Sequence, residues 1–314
     1  MPTQVVKNHA TPLTHANFSD IGDLGRALGW DIDFRQLTPG PQAIPATVVA
    51  GNHVALLRMN LNRSYHQCAY PPRGTITFGV PEKGAEDWFG ASYPDQSILP
   101  FNLASGVDMV SRGGFLAYTI SFAEDFLWYV AETFQLPVAD VLYAPSSGAF
   151  IPDSEAVQNL RFLIRSHFRN DKTPLDSEQE TALAIELLRA GAGEVAIVKS
   201  CTPVVRRKAV ARALEYIDQC QGEVVAVGQL CAATGISWRT LTRAFHERFG
   251  LGPKAYLNRL RLSSVRTQLS TGDGEVVIAD IANSQDFWHM GQFARDYRLV
   301  YGELPSETLR RSQL

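Results

Sequence analysis

Cysteine is scarce in this chain, and its spacing excludes the usual roles of cysteine in small folds. The four cysteines stand far apart, with no Cys-x-x-Cys pair among them: Cys68, Cys201, Cys220 and Cys231. A disulfide framework or a structural zinc site needs closely spaced thiols. His66-x-Cys68 places two candidate ligands on one face of a strand, but the sequence fixes no further ligand. We therefore expect reduced packing cysteines, no metal and no other cofactor.

Long apolar runs are missing as well. No stretch approaches the roughly 18 apolar residues that a membrane helix requires, and residues 1–10 show no basic-then-apolar leader. We therefore expect a cytoplasmic protein that does not interact with a membrane. Gly-x-Ser-x-Gly, P-loop and His-Glu-x-x-His signatures are also absent, so a hydrolase, a kinase or a metalloprotease is not predicted.

The formal net charge of −3 hides an asymmetry between the two parts of the chain. Residues 204–314 hold 15 Lys and Arg against 11 Asp and Glu, whereas residues 1–203 hold 14 against 21. The C-terminal part is therefore the candidate for binding a polyanion. A solvated helix surface would show the same charge, so a fold is needed to support this interpretation. Residues 237–266 carry one acid, Glu247, and seven bases: Arg239, Arg243, Arg248, Lys254, Arg259, Arg261 and Arg266.

The N-terminal half begins with short strands that are separated by turns. Pro, Gly and Asn punctuate segments rich in β-branched and aromatic residues, which predicts a mostly antiparallel sheet or a small barrel. The predicted strands are residues 46–50, 54–60, 75–80, 107–110 and 115–122.

Helical periodicity follows the strands. Apolar residues recur at three- and four-residue steps, which predicts amphipathic helices at residues 123–134, 154–168 and 177–190. Gly191, Gly193 and Pro203 interrupt this pattern. We therefore predict an α+β protein with an effector-sensing and dimerisation domain at residues 1–190, a linker at 191–203, and an all-helical domain at 204–314.

The C-terminal part contains an internal duplication with an offset of 52 residues. Leu241-x-Arg243-x-Phe245, Phe249-Gly250 and Pro253 recur as Phe293-x-Arg295-x-Tyr297, Tyr301-Gly302 and Pro305. Several matches at one offset indicate two copies of one structural unit.

Each copy has the residue pattern of a helix-turn-helix. In the first copy, residues 226–234 form a short helix, Gly235 provides the turn, and Ser237 caps a second helix at 238–249 that Gly250 ends. In the second copy the helices are predicted at 276–284 and 289–301. Pro253 begins a bridging helix that extends to about residue 269, and residues 305–310 form a short closing helix.

Two such units suit double-stranded DNA. A bridge of about 17 helical residues is roughly 25 Å long, so the two second helices can lie about 34 Å apart, one turn of B-DNA. Exposed side chains at the starts and free faces of these helices are the candidates for base and phosphate contacts. They are Ser237, Trp238, Arg239, Thr242 and Arg243 in the first unit, and His289, Gln292 and Arg295 in the second.

Residues 205–311 resemble the DNA-binding domain of the AraC/XylS family of bacterial regulators. The resemblance rests on residues 241–250, 253–262 and 291–305. It implies seven helices with two helix-turn-helix units, and it assigns the recognition positions to Arg239, Thr242, Arg243, His289, Gln292 and Arg295. The family usually has Gly where this chain has Asp286. Asp tolerates the left-handed backbone better than most residues, so we expect the turn to persist.

A finer resemblance links the chain to the ethanolamine-utilisation operon regulators within that family. It rests on residues 287–293, on Thr77-Phe78-Gly79-Val80-Pro81, and on Gln36-Leu37-x-Pro39-Gly40. This resemblance implies a small metabolite as effector, with a cobalamin coenzyme as a remote alternative. The habit of the wider family favours activation of transcription, which we expect to occur through contact with RNA polymerase. We leave the ligand open and expect a homodimer, because a second subunit doubles the DNA contacts.

Aromatic residues in the N-terminal half are candidates for an effector pocket, since such pockets are mostly apolar. The candidates are Phe78, Trp88, Phe89 and Tyr118, with core packing as the alternative role.

One alternative function keeps the DNA binding but has an N-terminal domain that only dimerises or binds a protein. A more remote one is a DNA-repair alkyltransferase, which needs a cysteine cluster, whereas Cys68 is isolated in Gln67-Cys68-Ala69.

Overall fold

A computed structural model describes most of the chain as two compact units. The described residues are 16–18, 21–93, 97–101, 106–137, 148–150, 155–169, 174–191, 195–197, 204–220, 222–272 and 276–313. The first unit comprises Met1–Asp33, Ala43–Asn62 and Gln67–Lys199. The second comprises Ser200–Leu314 together with two short segments, Phe34–Gln42 and Arg63–His66.

Strands dominate the first half of the chain, and three longer helices follow them. The strands are β1 Ala16–Phe18, β2 Asp31–Gln36, β3 Ile44–Ala50, β4 Val54–Leu61, β5 Tyr65–Tyr70, β6 Thr75–Trp88, β7 Leu99–Pro100, β8 Val107–Ala123, β9 Gly148–Phe150 and β10 Val195–Ile197. The helices are α1 Ile21–Leu28, α2 Glu124–Thr133, α3 Glu155–His167 and α4 Ser177–Gly191.

The main sheet has eight strands in the order β1-β3-β4-β8-β5-β2, and β6 pairs with both β7 and β8. The pairs β3/β4, β4/β8 and β6/β8 are antiparallel, as predicted. Residues 107–110 and 115–122, predicted as two strands, form the single strand β8. Gly113 and Gly114 do not end the strand, because β8 accommodates the positive φ of 81° at Gly114. The pairing of β8 with β6 shifts register at this place, where Lys83 pairs with Leu116 and Ala85 pairs with Ser111.

One face of this sheet forms the core of the first unit. Leu56 of β4 and Ile120 of β8 are directly opposite each other and fully buried. They share a cluster with Leu127 of α2, Leu160 of α3 and Leu187 of α4. The helices therefore bury their apolar stripes on the sheet, which explains why their periodicity could be detected in the sequence.

The predicted linker at residues 191–203 is only partly described. Gly191 ends α4, and β10 pairs antiparallel with β9, whereas the remainder of the linker and Cys201 lie outside the described residues. The boundaries of the predicted domains stay a prediction. None of the helices in the described ranges is long and apolar enough to cross a membrane.

The C-terminal part of the second unit is all helical. Its helices are α5 Val204–Gln219, α6 Val227–Thr234, α7 Trp238–Phe249, α8 Pro253–Thr271, α9 Ile278–Ser284, α10 Met290–Tyr301 and α11 Pro305–Ser312. The α+β class and the two helix-turn-helix units joined by a bridging helix are confirmed.

Candidate nucleic-acid interface

The first helix-turn-helix consists of α6, a tight turn and α7. Gly235 ends α6 in the left-handed conformation at φ 69°, which glycine adopts without a steric penalty. Ser237 begins α7 as its N-cap, and its Oγ accepts a hydrogen bond from the Thr240 backbone N–H at 3.3 Å. Gly250 ends α7 at φ 69°. Local sequence signals therefore set both ends of this helix.

Aromatic packing holds α7 against α8. The rings of Phe245 and Phe249 lie 5.4 Å apart, and Tyr256 of α8 packs on both of them. Leu241 is fully buried on the same stripe of α7. Because this stripe faces the core, the opposite face of α7 is left to solvent.

The predicted contact residues of α7 lie mainly on this open face. Ser237, Trp238, Arg239 and Arg243 are exposed. Thr242 differs, because it is half-buried and its Oγ1 is out of reach of solvent, with no hydrogen-bond partner among the described residues. The structure thus presents two arginines at the first recognition surface, with Thr242 set back from them.

An ion pair orients one of these arginines. Arg243 Nε donates to Glu247 Oε1 at 3.0 Å, and Arg206 of α5 donates to the other carboxylate oxygen at 2.7 Å. Desolvation of the Glu247 carboxyl opposes ionisation, but the hydrogen bonds from Arg243 and Arg206 hold its pKa below the usual value. The side chain of Arg243 nevertheless remains 69% exposed, so terminal N–H groups of its guanidinium stay accessible to a guanine edge.

The second helix-turn-helix consists of α9, a turn at Asp286 and α10. Its core contains Phe293, Tyr297 and Val300 of α10, packed with Leu262 and Val265 of α8. Asp286 adopts φ 63°. The prediction that Asp replaces the usual glycine without loss of this turn is therefore confirmed.

Asp286 also makes contacts that glycine could not make. Its Oδ1 accepts from the indole N–H of Trp288 at 2.7 Å, and its Oδ2 accepts from Arg261 of α8 at 3.3 Å. The Arg261 guanidinium lies 5.3 Å from the centre of the Phe287 ring. The carboxylate therefore ties the turn to the bridging helix.

The predicted contact residues of α10 are all exposed. His289 occupies the N-cap position, so α10 begins one residue later than predicted. Gln292 Nε2 donates to Asp296 Oδ1 at 2.7 Å, one turn along the helix. Arg295 is exposed on the same helix. This surface carries less positive charge than that of α7, as the sequence indicated.

The bridging helix α8 serves both cores with different faces. Its first half buries Tyr256 and Leu257, and its second half buries Leu262, Val265 and Leu269. At about 100° per residue the two sets point roughly 160° apart. This arrangement explains why α8 has no single apolar stripe, and it places the two helix-turn-helix units on different sides of one rigid element.

The basic stripe predicted at residues 237–266 is only partly a surface. Arg239, Arg243 and Lys254 are exposed, whereas Arg248, Arg259 and Arg261 are half-buried. Arg266 is buried and pairs with Glu303 at 2.7 Å, with its guanidinium 4.6 Å from the centre of the Tyr301 ring. Arg266 is therefore removed from the set of phosphate contacts, because it neutralises an internal carboxylate.

Glu303 organises a polar network at the end of α10. Its carboxylate accepts hydrogen bonds from Arg266, Arg311 and Thr308. Thr308 Oγ1 uses its one proton for this bond at 2.8 Å, so the Tyr297 hydroxyl, also at 2.8 Å, is the donor to Thr308. The network links α8, α10 and α11.

Two segments from the first third of the chain complete the second unit. The side-chain amide of Gln36 donates to the Val300 carbonyl at 2.7 Å, and the Gly40 N–H donates to the same oxygen at 3.0 Å. This carbonyl lies in the last turn of α10, where no intrahelical donor is available. The Tyr256 hydroxyl lies 2.9 Å from Arg35 and 2.7 Å from His66 Nδ1. The segments therefore contact both helix-turn-helix cores.

Comparison with known proteins agrees with this geometry. Residues 230–311 match a family model described as a helix-turn-helix domain. The chain is 32% identical over 104 residues to XylDLEGF operon transcriptional activator 3 of Pseudomonas putida, across 33% of this chain and 31% of that protein. Residues 230–311 form a helix-turn-helix domain.

Two further relatives have related descriptions. The HTH-type transcriptional activator RhaS of Pectobacterium carotovorum is 30% identical over 99 residues, across 32% of this chain and 35% of RhaS. A solved structure of the AraC-like transcriptional activator CuxR covers 76% of this chain and 87% of its own at 14% identity, with a TM-score of 0.39. The chain thus spans about a third of the length of the curated relatives it matches.

The predicted effector residues lie in the first compact unit, away from the helix-turn-helix domain in sequence. Phe78 and Tyr118 belong to its hydrophobic core and are 1% and 8% exposed. Trp88 is fully buried, and its ring meets the Phe89 ring edge-on at 5.4 Å. Packing accounts for these positions, and an effector pocket built on them stays a prediction.

Glu303 makes the stability of this domain pH-dependent. Desolvation of the carboxyl is outweighed by Arg311, Arg266 and Thr308, which lower its pKa to about 2. Stabilisation is therefore complete above the unfolded pKa of about 4.5 and disappears as the pH falls towards 2. We predict that Glu303→Gln lowers the free energy of unfolding by about 3 kcal/mol near neutral pH.

This prediction is tested by urea denaturation across a pH series. The difference between wild type and Glu303→Gln should narrow as the pH falls below about 4.5. Glu215→Gln, on the exposed surface of α5, is the matched control and should change little. If the unfolding free energies of the wild type and Glu303→Gln differed by the same amount at every pH, the ionic role of Glu303 would be contradicted.

The contact of Gln36 with α10 predicts a local effect. Gln36 is buried, and its amide nitrogen, with two N–H groups, lies within hydrogen-bonding distance of the carbonyls of Thr38, Gly40 and Val300. Removing it takes a donor from the buried Val300 carbonyl, at a cost of about 1–3 kcal/mol. We predict that Gln36→Ala increases hydrogen–deuterium exchange in the last turn of α10. Gln219→Ala, exposed at the end of α5, is the control, and equal exchange in both variants would refute the contact.

Proposed function

We propose that this protein is a sequence-specific DNA-binding transcription regulator of the AraC/XylS family. The observation that carries the proposal is the pair of helix-turn-helix units on one bridging helix, each with a polar recognition face open to solvent. Residues of this chain fill the cores of both helix-turn-helix units, so the polar faces of α7 and α10 are available to a partner. Double-stranded DNA is the partner that this geometry fits.

The residues proposed to contact DNA fall into two roles. Arg239 and Arg243 of α7, and Arg295 of α10, read base edges, because an arginine fork matches the O6 and N7 acceptors of guanine. Gln292 reads adenine or positions a phosphate, depending on whether it releases Asp296. Ser237, Trp238, Thr242 and His289 line the starts and flanks of the helices, where phosphate and sugar contacts fix the register.

The bridging helix sets the spacing of the two contacts. Nineteen residues of α helix span about 28 Å. With the width of the two units added, α7 and α10 enter successive major grooves about 34 Å apart on one face of the DNA. One protomer therefore binds a DNA site that consists of two half-sites, one for α7 and one for α10. A homodimer binds two such DNA sites.

The first unit is proposed to sense a small-molecule effector in the cytoplasm. Binding shifts the equilibrium between a state that restrains the DNA-binding helices and a state that frees them. The freed state activates transcription through contact with RNA polymerase. The names of the P. putida and Pectobacterium relatives, which are transcriptional activators, support activation over repression.

A finer assignment rests on sequence alone. Residues 287–293, 77–81 and 36–40 are similar to ethanolamine-utilisation operon regulators, which favours a small metabolite as the effector. A regulator whose first unit only dimerises or binds a protein remains the second candidate. A DNA-repair alkyltransferase is disfavoured, because β5 contains a single cysteine, Cys68, and the P. putida and Pectobacterium relatives are named as transcriptional activators.

Arginine variants of the full-length protein test whether α7 and α10 each recognise one half of the DNA site. Selection from a random-sequence DNA duplex library first defines the preferred site. We predict that Arg243→Ala and Arg295→Ala each weaken binding to that site by about 1–3 kcal/mol and relax specificity in different halves of it. Wild-type affinity should also fall steeply with salt concentration.

Exposed arginines outside the recognition faces provide the controls. Arg212→Ala on α5 and Arg298→Ala near the end of α10 remove the same charge. They should lower affinity without changing the selected sequence. If all four variants behaved alike, or if the wild type selected no sequence, the proposed function would be wrong.

A metabolite panel tests the effector proposal. A ligand that binds only the folded protein raises its stability by about 2.7 kcal/mol at a hundred times its dissociation constant. We predict that at least one small metabolite raises the melting temperature of the full-length protein and changes its affinity for the selected DNA. If a ligand raised the melting temperature without altering DNA binding, the coupling would be refuted.

A further inference from the structure

Trp288 stands out among the side chains that the structure describes. It is 68% exposed, more than any other large apolar side chain in those residues. Indole rings are normally buried, because they remove a large apolar area from water. An exposed tryptophan at the start of a recognition helix therefore indicates a surface that contacts another molecule.

The ring is fixed as well as exposed. Its N–H donates to Asp286 at 2.7 Å, and Asp286 is held by its left-handed turn and by Arg261. Arg261 is only partly exposed and packs over Phe287. An ordered aromatic side chain loses little conformational freedom when it binds, so this arrangement suits a contact surface.

The hydrogen bond to Asp286 also defines what the ring can recognise. An indole has one donor, and that donor is already used. The ring then offers only its apolar faces and edge. In the major groove, the apolar group that distinguishes one base from the others is the C5-methyl of thymine.

Gly291, in the first turn of α10, provides a second indication. It is exposed and helical, and a Cβ placed on it would meet no atom within 4 Å. Glycine in a helix is less stable than alanine. Neither internal packing nor a positive φ requires glycine at this position. The absence of a side chain at Gly291 is explained if another molecule approaches the start of α10 closely at this position.

The first helix-turn-helix also has an exposed tryptophan near the start of its second helix. Trp238 is the first residue of α7 and is 54% exposed. Both recognition helices thus begin within two residues of an exposed tryptophan, although at the offset of 52 residues Trp238 corresponds to Met290. A shared partner at both places accounts for this better than two unrelated surface residues.

We propose that Trp288 contacts the methyl group of a thymine in the half-site read by α10, with Asp286 as the positioning residue and Gly291 as the space for the DNA. The proposal rests on the proposed function and specifies its second recognition surface. Trp288 supplies the apolar discrimination that the weakly charged face of α10 otherwise lacks.

The test uses full-length protein and the duplex selected by the wild type from a random library. Thymines of the second half-site are replaced one at a time by deoxyuridine, which removes only the methyl group. Wild-type affinity should fall about fivefold or more at one position. Trp288→Ala should be insensitive to the same replacement, and Asp286→Gly should reduce the sensitivity while keeping the turn. Leu299→Ala, exposed near the end of α10, should keep full sensitivity.

Gly291→Ala gives an independent readout. It should raise the melting temperature, because alanine favours the helix, and yet weaken binding to the selected duplex. The proposal is overturned if the wild type senses no thymine methyl, if Trp288→Ala retains the sensitivity, or if Gly291→Ala leaves affinity unchanged. A wild type that selects no sequence would instead refute the proposed function itself.

Discussion

The bridging helix α8 is the constraint on which the second unit depends. Tyr256 and Leu257 complete the core of the first helix-turn-helix, and Leu262, Val265 and Leu269 complete that of the second. A short helix-turn-helix cannot bury enough apolar surface alone. Because one rigid helix belongs to both cores, folding either core orients the helix that the other core needs. The separation of the two recognition helices is then a property of α8.

The two copies have diverged in how they are held on α8. In the first, Phe245, Phe249 and Tyr256 form an aromatic cluster. In the second, tyrosines replace the phenylalanines, and hydroxyls connect the helix to a carboxylate, Glu303, that Arg266 and Arg311 neutralise. The second copy therefore adds a buried charged network to its apolar core. Acid should loosen the second copy, because Glu303 must be ionised to hold Arg266 and Arg311.

Local signals made much of this domain predictable. Ser237 and Gly250 set the ends of α7, and Asp286 took the left-handed turn as expected. Contacts between distant residues could not be predicted. Arg266 and Glu303 are 37 positions apart, and Gln36 meets Val300 across 264 positions. In the first unit, residues 107–110 and 115–122 form one strand, because β8 pairs with β6 on both sides of Gly113-Gly114, at Ser111 and at Leu116. Local preference sets helix ends, whereas tertiary pairing decides strand length.

Hydroxyl-radical footprinting of the full-length protein on its selected duplex tests the central claim most directly. The account predicts two protected segments on one face of the DNA, about ten base pairs apart, because α8 holds α7 and α10 at one helical turn. Arg243→Ala should weaken protection at one segment and Arg295→Ala at the other. A single protected segment that either substitution weakens equally would contradict the account, since it would mean that only one of the two units enters the groove.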